Sequence, residues 1–271
     1  MEAPKVLYED LSLLVINKPS GMVVNRAESV KGETLQDWVE SYLKLEVGSE
    51  NVDKEMRGGK SHFTPQSEAI PASHVSHLTS SEDFISRSGV VHRIDKETSG
   101  VLIIAKTPEA FEELQRQFKE REVEKTYVAL VHGRVSPEEG IINAPVGRLP
   151  WNRERFGVFP GGREAETKYQ VVRYYPASHI SPSTSYSLVE FYPKTGRTHQ
   201  IRVHAKSIGH VIVSDIFYAG RKTSRRDRTW CPRLFLHASL ITFTHPDVGK
   251  RMKVEAPLPQ DLQSALDALT P

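Results

Sequence analysis

The residues best suited to chemistry lie in one polar segment between two apolar runs. Residues 89–106 read GVVHRIDKETSGVLIIAK, in which Arg93 and Asp95 are two positions apart. The pattern predicts a strand, a loop and a second strand, which places both side chains on the rim of a sheet. A rigid sheet with a charged loop is a common way to aim catalytic side chains. A solvated turn with a surface Asp–Lys pair fits these residues equally well.

A second polar segment, residues 193–204, reads PKTGRTHQIRVH. It contains a basic cluster, and another basic cluster follows at residues 221–228. Each cluster taken alone is typical of a solvated basic face, but two of them close to a polar motif favour contacts with an RNA backbone. Their members are Lys194, Arg197, Arg202 and Lys206 in the first, and Arg221, Lys222, Arg225, Arg226 and Arg228 in the second.

The composition narrows the class of protein. The chain has 271 residues, a formal net charge of +2 and a single cysteine, Cys231. This length suffices for one full hydrophobic core, and the near-neutral charge argues against a histone-like binder. No apolar run approaches the roughly 18 residues of a membrane span, and the N-terminus lacks a signal-peptide core. We therefore expect a cytoplasmic protein in which Cys231 is a buried, structural thiol.

Hydrophobic periodicity predicts the elements that must position the two polar segments. Two short strands are predicted within residues 5–16, and an amphipathic helix begins at Thr34. A second helix begins at Thr107-Pro108 and ends near residues 119–121. Further strands are predicted at 125–131, 166–175, 185–192 and 235–243, a helix at 201–208 capped by Gly209, and a short helix at the C-terminus.

Residues 46–87 show no sustained period and are predicted to form a flexible insert. The insert contains His62, His74 and His77, the last two spaced His-x-x-His. No cysteine or acidic residue stands at ligand spacing. The sequence therefore favours a mobile surface insert over a metal site.

Several segments together resemble the RluA-type pseudouridine synthases. The segments HRIDKETSGVLIIAK, LYEDLSLLVINKPSGMVV, KTYVALV and PKTGRTHQIRVH match that family over residues 5–266, apart from the insert. Two departures stand out: Arg163 occupies a position where a lysine is expected, and residues 209–216 lack two expected prolines and a glycine. The S4-type RNA-binding domain that many relatives carry at the N-terminus is not present in these residues.

The resemblance implies an α+β catalytic domain spanning residues 1–271. Its sheet would be mixed and largely antiparallel, with flanking helices and a central cleft. The implied reaction is the conversion of uridine to pseudouridine in structured RNA, which needs no cofactor, no metal and no nucleotide. We expect a monomer, with ribosomal RNA as the first candidate substrate and transfer RNA as the second.

The resemblance also implies roles for individual residues. Asp95 would be the catalytic carboxylate, Arg197 the arginine that keeps it ionised, and Tyr127 the aromatic side chain against the target uracil. An ordinary phosphate contact is the alternative for Arg197, and a core position is the alternative for Tyr127. The residues expected to bind substrate are Arg93, His92, Lys125, Arg202, Arg225 and Arg226, with a structural role as the alternative for His92 and a surface role for Lys125.

Two rival functions use the same residues. A catalytically silent RNA-binding protein on the same scaffold is one, although the joint presence of Asp95, Tyr127 and Arg197 argues against it. The other is a hydrolase of nucleosides or RNA that uses Asp95, which is weak because no paired acid or metal site accompanies that carboxylate.

Overall fold

The computed structural model describes residues 2–28, 30–43, 82–176 and 184–270, which are organised around one nine-stranded sheet. The strands are β1 (Lys5–Glu9), β2 (Leu13–Lys18), β3 (Ser99–Ala105), β4 (Glu124–His132), β5 (Glu139–Asn143), β6 (Val146–Leu149), β7 (Asn152–Val158), β8 (Glu166–Tyr175), β9 (Tyr186–Pro193), β10 (Leu236–Thr244) and β11 (Arg251–Glu255). The helices are α1 (Leu35–Leu43), α2 (Pro108–Glu120), α3 (Gln200–Ser207), α4 (Arg221–Asp227) and α5 (Gln260–Leu269). Residues 82–86 form a further helical turn.

The sheet runs in the order β1-β2-β3-β10-β4-β9-β8-β5, and β11 pairs with β10. Strands β10 and β3 are parallel, whereas the other pairs in this sheet are antiparallel. Strands β6 and β7 form a separate hairpin. The predicted α+β fold with a mixed, largely antiparallel sheet is confirmed.

Strands β2 and β3 form the most deeply buried part of the sheet because both of their faces are covered. Leu13, Val15, Val101 and Ile103 pack with Phe111 and Leu114 of α2, whereas Leu14, Ile16, Leu102 and Ile104 pack with Leu35 and Val39 of α1. Successive side chains of a strand point to opposite faces, so the continuous apolar sequence of each strand serves two cores. Burial of each large apolar side chain contributes about 1.5–3 kcal/mol. This double-sided core makes β3 a rigid base for the polar loop that precedes it.

Helix α2 begins and ends where the sequence predicts. The Thr107 side chain accepts a hydrogen bond from the Ala110 N–H at 3.2 Å, and Pro108 occupies the first turn. Arg121 ends the helix in the left-handed conformation, with φ of 65°. This cap turns the chain back toward β4 and leaves Arg121 exposed at the end of the helix.

The predicted strand before the polar loop is not formed. Val90 makes only an isolated bridge to Ile104. The preceding Gly89 has φ of 72°, and a Cβ there would lie 2.0 Å from the Ala105 carbonyl oxygen. Gly100 is similarly constrained, with φ of 120° and a Cβ position 2.2 Å from the Ala238 carbonyl oxygen. The polar loop is therefore flanked by two glycines that lie against neighbouring backbone. The left-handed conformation of Gly89 and its contact with Ala105 leave no room for the expected strand.

Most of the predicted insert at 46–87, including His62, His74 and His77, lies outside the described residues. Strands β5, β6, β7 and β11 and helix α4 are additional to the elements predicted from periodicity. Among the described helices, none is long and apolar enough to cross a membrane.

Candidate active site

The loop that carries Asp95 is fixed by hydrogen bonds from the segment after β2. The Thr98 N–H donates to the Asp95 carbonyl oxygen at 3.1 Å, which closes a turn. The Gly21 N–H donates to the Lys96 carbonyl oxygen at 2.8 Å, and the Ser20 hydroxyl donates to the Glu97 carbonyl oxygen at 2.7 Å. The Lys-Pro-Ser-Gly turn at 18–21 is thus a brace for the polar loop.

Lys18 is the innermost part of that brace. Its side chain is fully buried, and the ammonium donates to the carbonyl oxygens of Pro19, Met22 and Lys96 at 2.8, 2.9 and 3.3 Å. Burial lowers the pKa of Lys18 to about 7, although the charge of Asp95 opposes this change. Because all three of its donors bind backbone carbonyl oxygens, Lys18 connects the turn at 18–21 to the polar loop and does not contact a ligand.

A cavity of about 580 Å³ opens beside the loop. It lies between the loop, the end of α2, the start of β4 and the segment that joins β9 to α3. The lining side chains that bear most on chemistry are Asp95, Tyr127, Arg93, Lys125, Arg163 and Arg197. The expected central cleft is therefore present, and the two polar segments of the sequence face each other across it.

Asp95 is paired with Arg202. One carboxylate oxygen of Asp95 lies 3.4 Å from Nη1 of Arg202, and the Asp95 side chain is 20% exposed. The opposite edge of the guanidinium is held by Asp215, which accepts from Nε and Nη2 at 2.8 Å each. Arg202 is 3% exposed and Asp215 is fully buried. Such a two-bond fork fixes the arginine before any substrate arrives.

This pairing differs from the geometry expected for two arginines from the sequence, whose roles stay predictions. Arg197 was expected to be the partner of Asp95, but its Nε donates to the Glu164 carbonyl oxygen at 3.0 Å. Arg202 was expected to contact RNA, but its guanidinium is buried between two carboxylates. The two arginines are five residues apart in one motif: Arg197 precedes α3 and faces the cavity, whereas Arg202 lies within α3 and faces the interior.

Tyr127 lines the cavity from the middle of β4. It is held between neighbouring strands, opposite Ala238 of β10 and Phe191 of β9. Burial raises the pKa of Tyr127, and the charge of Asp95 raises it further. The hydroxyl therefore stays protonated at neutral pH and can offer both a ring face and a proton donor beside Asp95.

His199 stands on the other side of Asp95 and was missed in the sequence reasoning. Its Nε2 lies 3.9 Å from the Asp95 carboxylate, and its Nδ1 is 2.8 Å from the Tyr218 hydroxyl. Its backbone is left-handed, with φ of 56°. Burial lowers the pKa of His199, against the opposing effect of Asp95. The only sequence signal for it was its place between Arg197 and Arg202.

His92 has a structural position. Its Nε2 accepts a hydrogen bond from the Ile103 N–H at 3.0 Å, and its ring stacks on Phe118 with centroids 4.7 Å apart. Burial lowers the pKa of His92 to about 3, with a further contribution from the charge of Lys125. The ring is therefore neutral at physiological pH and fixes the loop to β3.

The other residues expected to bind substrate fall into two groups. Arg93 is exposed and Lys125 is partly buried, and both line the cavity. Arg225 and Arg226 are exposed on α4 and do not line it. The neighbouring Arg228 lies 3.6 Å from Glu97 of the polar loop, which connects the basic segment to the edge of the site.

Thr98 and Ser99 carry two hydroxyl groups where the polar loop meets β3. The Thr98 hydroxyl is buried and has no hydrogen-bond partner among the described residues. The Ser99 hydroxyl lies 2.9 Å from Nδ1 of His237, whose Nε2 is 3.1 Å from the Ala256 carbonyl oxygen.

The site offers carboxylate, phenol, imidazole and guanidinium groups around one cavity. Within residues 2–28, 30–43, 82–176 and 184–270, no three His, Cys, Asp or Glu side chains converge as a metal site. The arrangement suits a reaction in which a carboxylate acts on a ligand that cations and an aromatic ring hold in place.

Comparison with known protein families gives one match that covers most of the chain. Residues 12–207 match the family model described as RNA pseudouridylate synthase. The chain is 34% identical over 270 residues to the ribosomal large subunit pseudouridine synthase D of Nitrosomonas europaea, covering 98% of this chain and 65% of that protein. It is 37% identical over 254 residues to the dual-specificity RNA pseudouridine synthase RluA of Escherichia coli K12, covering 93% and 92%. The chain thus spans about two thirds of the first relative and nearly all of the second.

Solved structures show the same fold. Human RNA pseudouridylate synthase domain containing 1 superimposes with a TM-score of 0.66 at 24% identity, covering 97% of this chain and 88% of that one. Human RNA pseudouridylate synthase domain containing 4 gives a TM-score of 0.63 at 22% identity, covering 98% and 92%. At these identities the likeness concerns the fold alone.

Proposed function

The chain belongs to the RNA pseudouridylate synthase family, and from this membership we propose that it isomerises specific uridines to pseudouridine in a structured RNA. The observation that carries the proposal is the Asp95 carboxylate, which faces the cavity and is held by the buried Arg202–Asp215 pair, with Tyr127 beside it. This arrangement presents one oriented carboxylate and one aromatic face, which the reaction requires.

The reaction moves a base without adding or removing atoms overall. The bond from ribose C1′ to uracil N1 breaks, the base turns, and C1′ forms a bond to C5. The proton on C5 leaves, and N1 gains a proton. No electron enters from outside, so the protein must supply only a carboxylate, a surface for the detached base and a route for one proton.

Asp95 is the residue that we assign to the chemical step. Arg202 orients its carboxylate, because the guanidinium is itself fixed by Asp215. Tyr127 lies where the detached uracil can rest, and its protonated hydroxyl is positioned to exchange a proton with the base. The reaction needs the uridine outside its stack, at a cost of a few kcal/mol, and the exposed Arg93 is placed to hold the RNA open.

The names of the relatives suggest two substrate pools. One relative is named for the large ribosomal subunit and another for dual specificity. We propose ribosomal RNA as the first candidate substrate and transfer RNA as the second. We further propose that residues 1–271 act as one catalytic domain, because the three main hydrophobic clusters share a single sheet. We also propose that the protein acts as a monomer in the cytoplasm, which is the expectation from the sequence.

The test is tritium release from RNA labelled at uridine C5, with ribosomal and transfer RNA offered separately. We expect release from at least one pool with the wild-type protein and none with Asp95→Asn. Release by Asp95→Asn at the wild-type rate would overturn the role of Asp95. No release by the wild-type protein, with RNA binding intact, would instead favour a silent RNA-binding protein.

A further inference from the structure

The cavity has an excess of positive charge that the reaction itself does not use. Among the described lining residues, Asp95 is the single carboxylate, and it is already paired with Arg202. Of the lining cations, Lys194 lies 3.1 Å from Glu166, whereas the others have no carboxylate within 4.0 Å in the described part of the chain. These others are Arg93, Lys119, Arg121, Lys125, Arg163 and Arg197.

Two arginines outside the cavity show what local neutralisation looks like in this protein. Arg26 pairs with Asp37 and Glu40, and Arg116 pairs with three glutamates of its own neighbourhood. Arg116 and Arg121 are five residues apart, yet only Arg116 is neutralised locally. Within the described residues, the six unpaired cations of the cavity therefore lack the local counter-ions that Arg26 and Arg116 have.

Four of the unpaired cations come from four different segments. Arg121 is the left-handed cap of α2, Lys125 lies at the start of β4, Arg163 forms a bridge to Val146, and Arg197 precedes α3. The guanidinium of Arg197 is held in place by the Glu164 carbonyl oxygen. Three regions of the sequence, at 121–125, 163 and 197, thus bring like charges to the lining of one cavity.

Two of these charges, those of Arg163 and Arg121, act on Arg197. Burial lowers the pKa of Arg197, and the charges of Arg163 and Arg121 lower it further. Burial lowers the pKa of Lys125 to about 8, and its own charge in turn lowers the pKa of His92. Like charges kept together without counter-ions destabilise one another, and a bound anion removes that cost.

We propose that Arg121, Lys125, Arg163 and Arg197 bind a phosphodiester group of the RNA next to the target uridine. This assignment rests on the proposed function and gives Arg197 a role in binding rather than in the chemical step. Guanidinium groups match phosphate oxygens with two parallel hydrogen bonds, and lysine adds a point charge. The cluster therefore has the chemistry of a phosphate clamp.

The position of Lys125 relative to Tyr127 indicates that the bound phosphate belongs to the nucleotide next to the target uridine. The two residues are two positions apart on β4 and both line the cavity, so they share one face of the strand. A rise of about 3.3 Å per residue separates them by roughly 7 Å. A phosphate bound to Lys125 would therefore lie close to a uracil that stacks on Tyr127, as the phosphate of an adjacent nucleotide does.

The test compares two double variants with equal loss of charge. The clamp variant is Arg121→Gln with Arg163→Gln. The control is Arg87→Gln with Lys253→Gln, which removes two exposed cations that pair with Asp83 and Glu255 outside the cavity. Affinity for total transfer RNA and total ribosomal RNA is measured between about 50 and 200 mM salt, a range over which the affinity of a protein that contacts phosphates falls steeply.

We expect the clamp variant to bind RNA more weakly and to reduce the slope of log K against log salt by about 0.7–0.9 for each phosphate contact that it loses. The control should keep the wild-type slope. Equal slopes for the clamp variant and the control would overturn the proposal. Lys125→Met, which keeps the length of the side chain, provides a second variant with the same expected direction.

Tritium release by the wild-type protein separates this proposal from the proposed function. Release together with an unchanged slope in the clamp variant overturns the clamp alone. A reduced slope without release from any RNA supports the clamp and overturns the proposed reaction. Where release occurs, the clamp variant should raise KM for RNA with kcat largely kept, because its residues bind rather than react.

Discussion

Arg202 lies between two carboxylates that have different roles. Asp215 accepts two hydrogen bonds from it at 2.8 Å in the interior, and Asp95 lies 3.4 Å away at the edge of the cavity. Asp215 also accepts from the backbone N–H groups of Phe217 and Tyr218 at 3.0 and 3.1 Å. One carboxylate therefore anchors the arginine, and the arginine in turn orients the other.

The first prediction is that Arg202 and Arg197 affect different kinetic constants. Arg202→Lys keeps the charge but loses the planar fork, so Asp95 is no longer held in one orientation. We expect kcat for tritium release to fall by about 10²-fold or more, as it does when one preorganised donor is removed from a catalytic site. Arg197→Lys, the matched change five residues away, should mainly raise KM, since its guanidinium is hydrogen-bonded to Glu164 and not to Asp95.

Single-turnover rates with saturating RNA provide the measurement, with circular dichroism to verify that both variants are folded. If Arg197→Lys lowered the single-turnover rate as much as Arg202→Lys does, the assignment of Arg202 as the partner of Asp95 would be wrong.

The second prediction compares the two aspartates that contact Arg202. Asp215→Asn leaves a buried guanidinium with a weakened partner, and the loss of such a pair typically costs about 3–5 kcal/mol. Asp95→Asn changes a more exposed carboxylate with one longer contact, so its effect on stability should be much smaller, whereas turnover should be lost. Urea unfolding measures the stability, and tritium release measures the turnover. A similar loss of stability in both variants would contradict the division of roles.

The sequence predicts most of the fold because the apolar patterns are strong. The apolar residues of β2 and β3, the Thr107-Pro108 start of α2 and the Gly209 end of α3 agree with the structure within one or two residues. The strand expected at 90–91 fails for a tertiary reason: Gly89 lies against the Ala105 carbonyl group, which no local pattern reveals.

The site was predicted less completely because burial is not visible in a motif. Arg197 and Arg202 are alike in type and close in sequence, and only the packing of α3 against Asp215 distinguishes them. The same limit applies to His199 and Lys18, whose importance comes from partners elsewhere in the chain. The family resemblance predicted which segments line the cavity, whereas only the structure shows which charged side chains pair with one another.

The third prediction concerns His92 and acid stability. Folded His92 stays neutral until the pH approaches 3, whereas an unfolded histidine takes up a proton below about 6.5. The unfolded state therefore binds more protons between these values, so the stability that His92 contributes is complete above pH 6.5 and is lost as the pH falls. His237, whose pKa is lowered to about 4 by burial, acts in the same direction.

His92→Phe tests this directly. The variant should be less stable at pH 8, by about 1–3 kcal/mol, because the Ile103 N–H loses its acceptor. Its further loss of stability between pH 6.5 and 4 should be shallower than that of the wild-type protein. Urea titrations across this range measure both effects, and an unchanged KM for RNA would support a structural His92. A raised KM with an unchanged pH slope would instead indicate contact with RNA.

The fourth prediction concerns Lys18 as the brace of the polar loop. Lys18→Met removes three hydrogen bonds to carbonyl oxygens, including the one from Lys18 to Lys96. The loop that carries Asp95 should become less ordered, so kcat should fall while affinity for RNA changes little. Amide hydrogen exchange of Gly21 and Thr98, whose N–H groups donate within this brace, should accelerate. Wild-type exchange rates at both amides would contradict the bracing role.

The fifth prediction tests α4 as part of the RNA footprint. Arg225 and Arg226 are exposed on this helix, and Arg228 at its end lies 3.6 Å from Glu97 of the polar loop. Each phosphate contact adds about 0.7–0.9 to the slope of log affinity against log salt. Arg225→Gln with Arg226→Gln should therefore weaken RNA binding and flatten that slope, whereas the Arg87→Gln, Lys253→Gln control should not. Since neither arginine lines the cavity, the single-turnover rate at saturating RNA should be unchanged. A wild-type salt slope in the Arg225, Arg226 variant would show that the RNA follows another path away from the cavity.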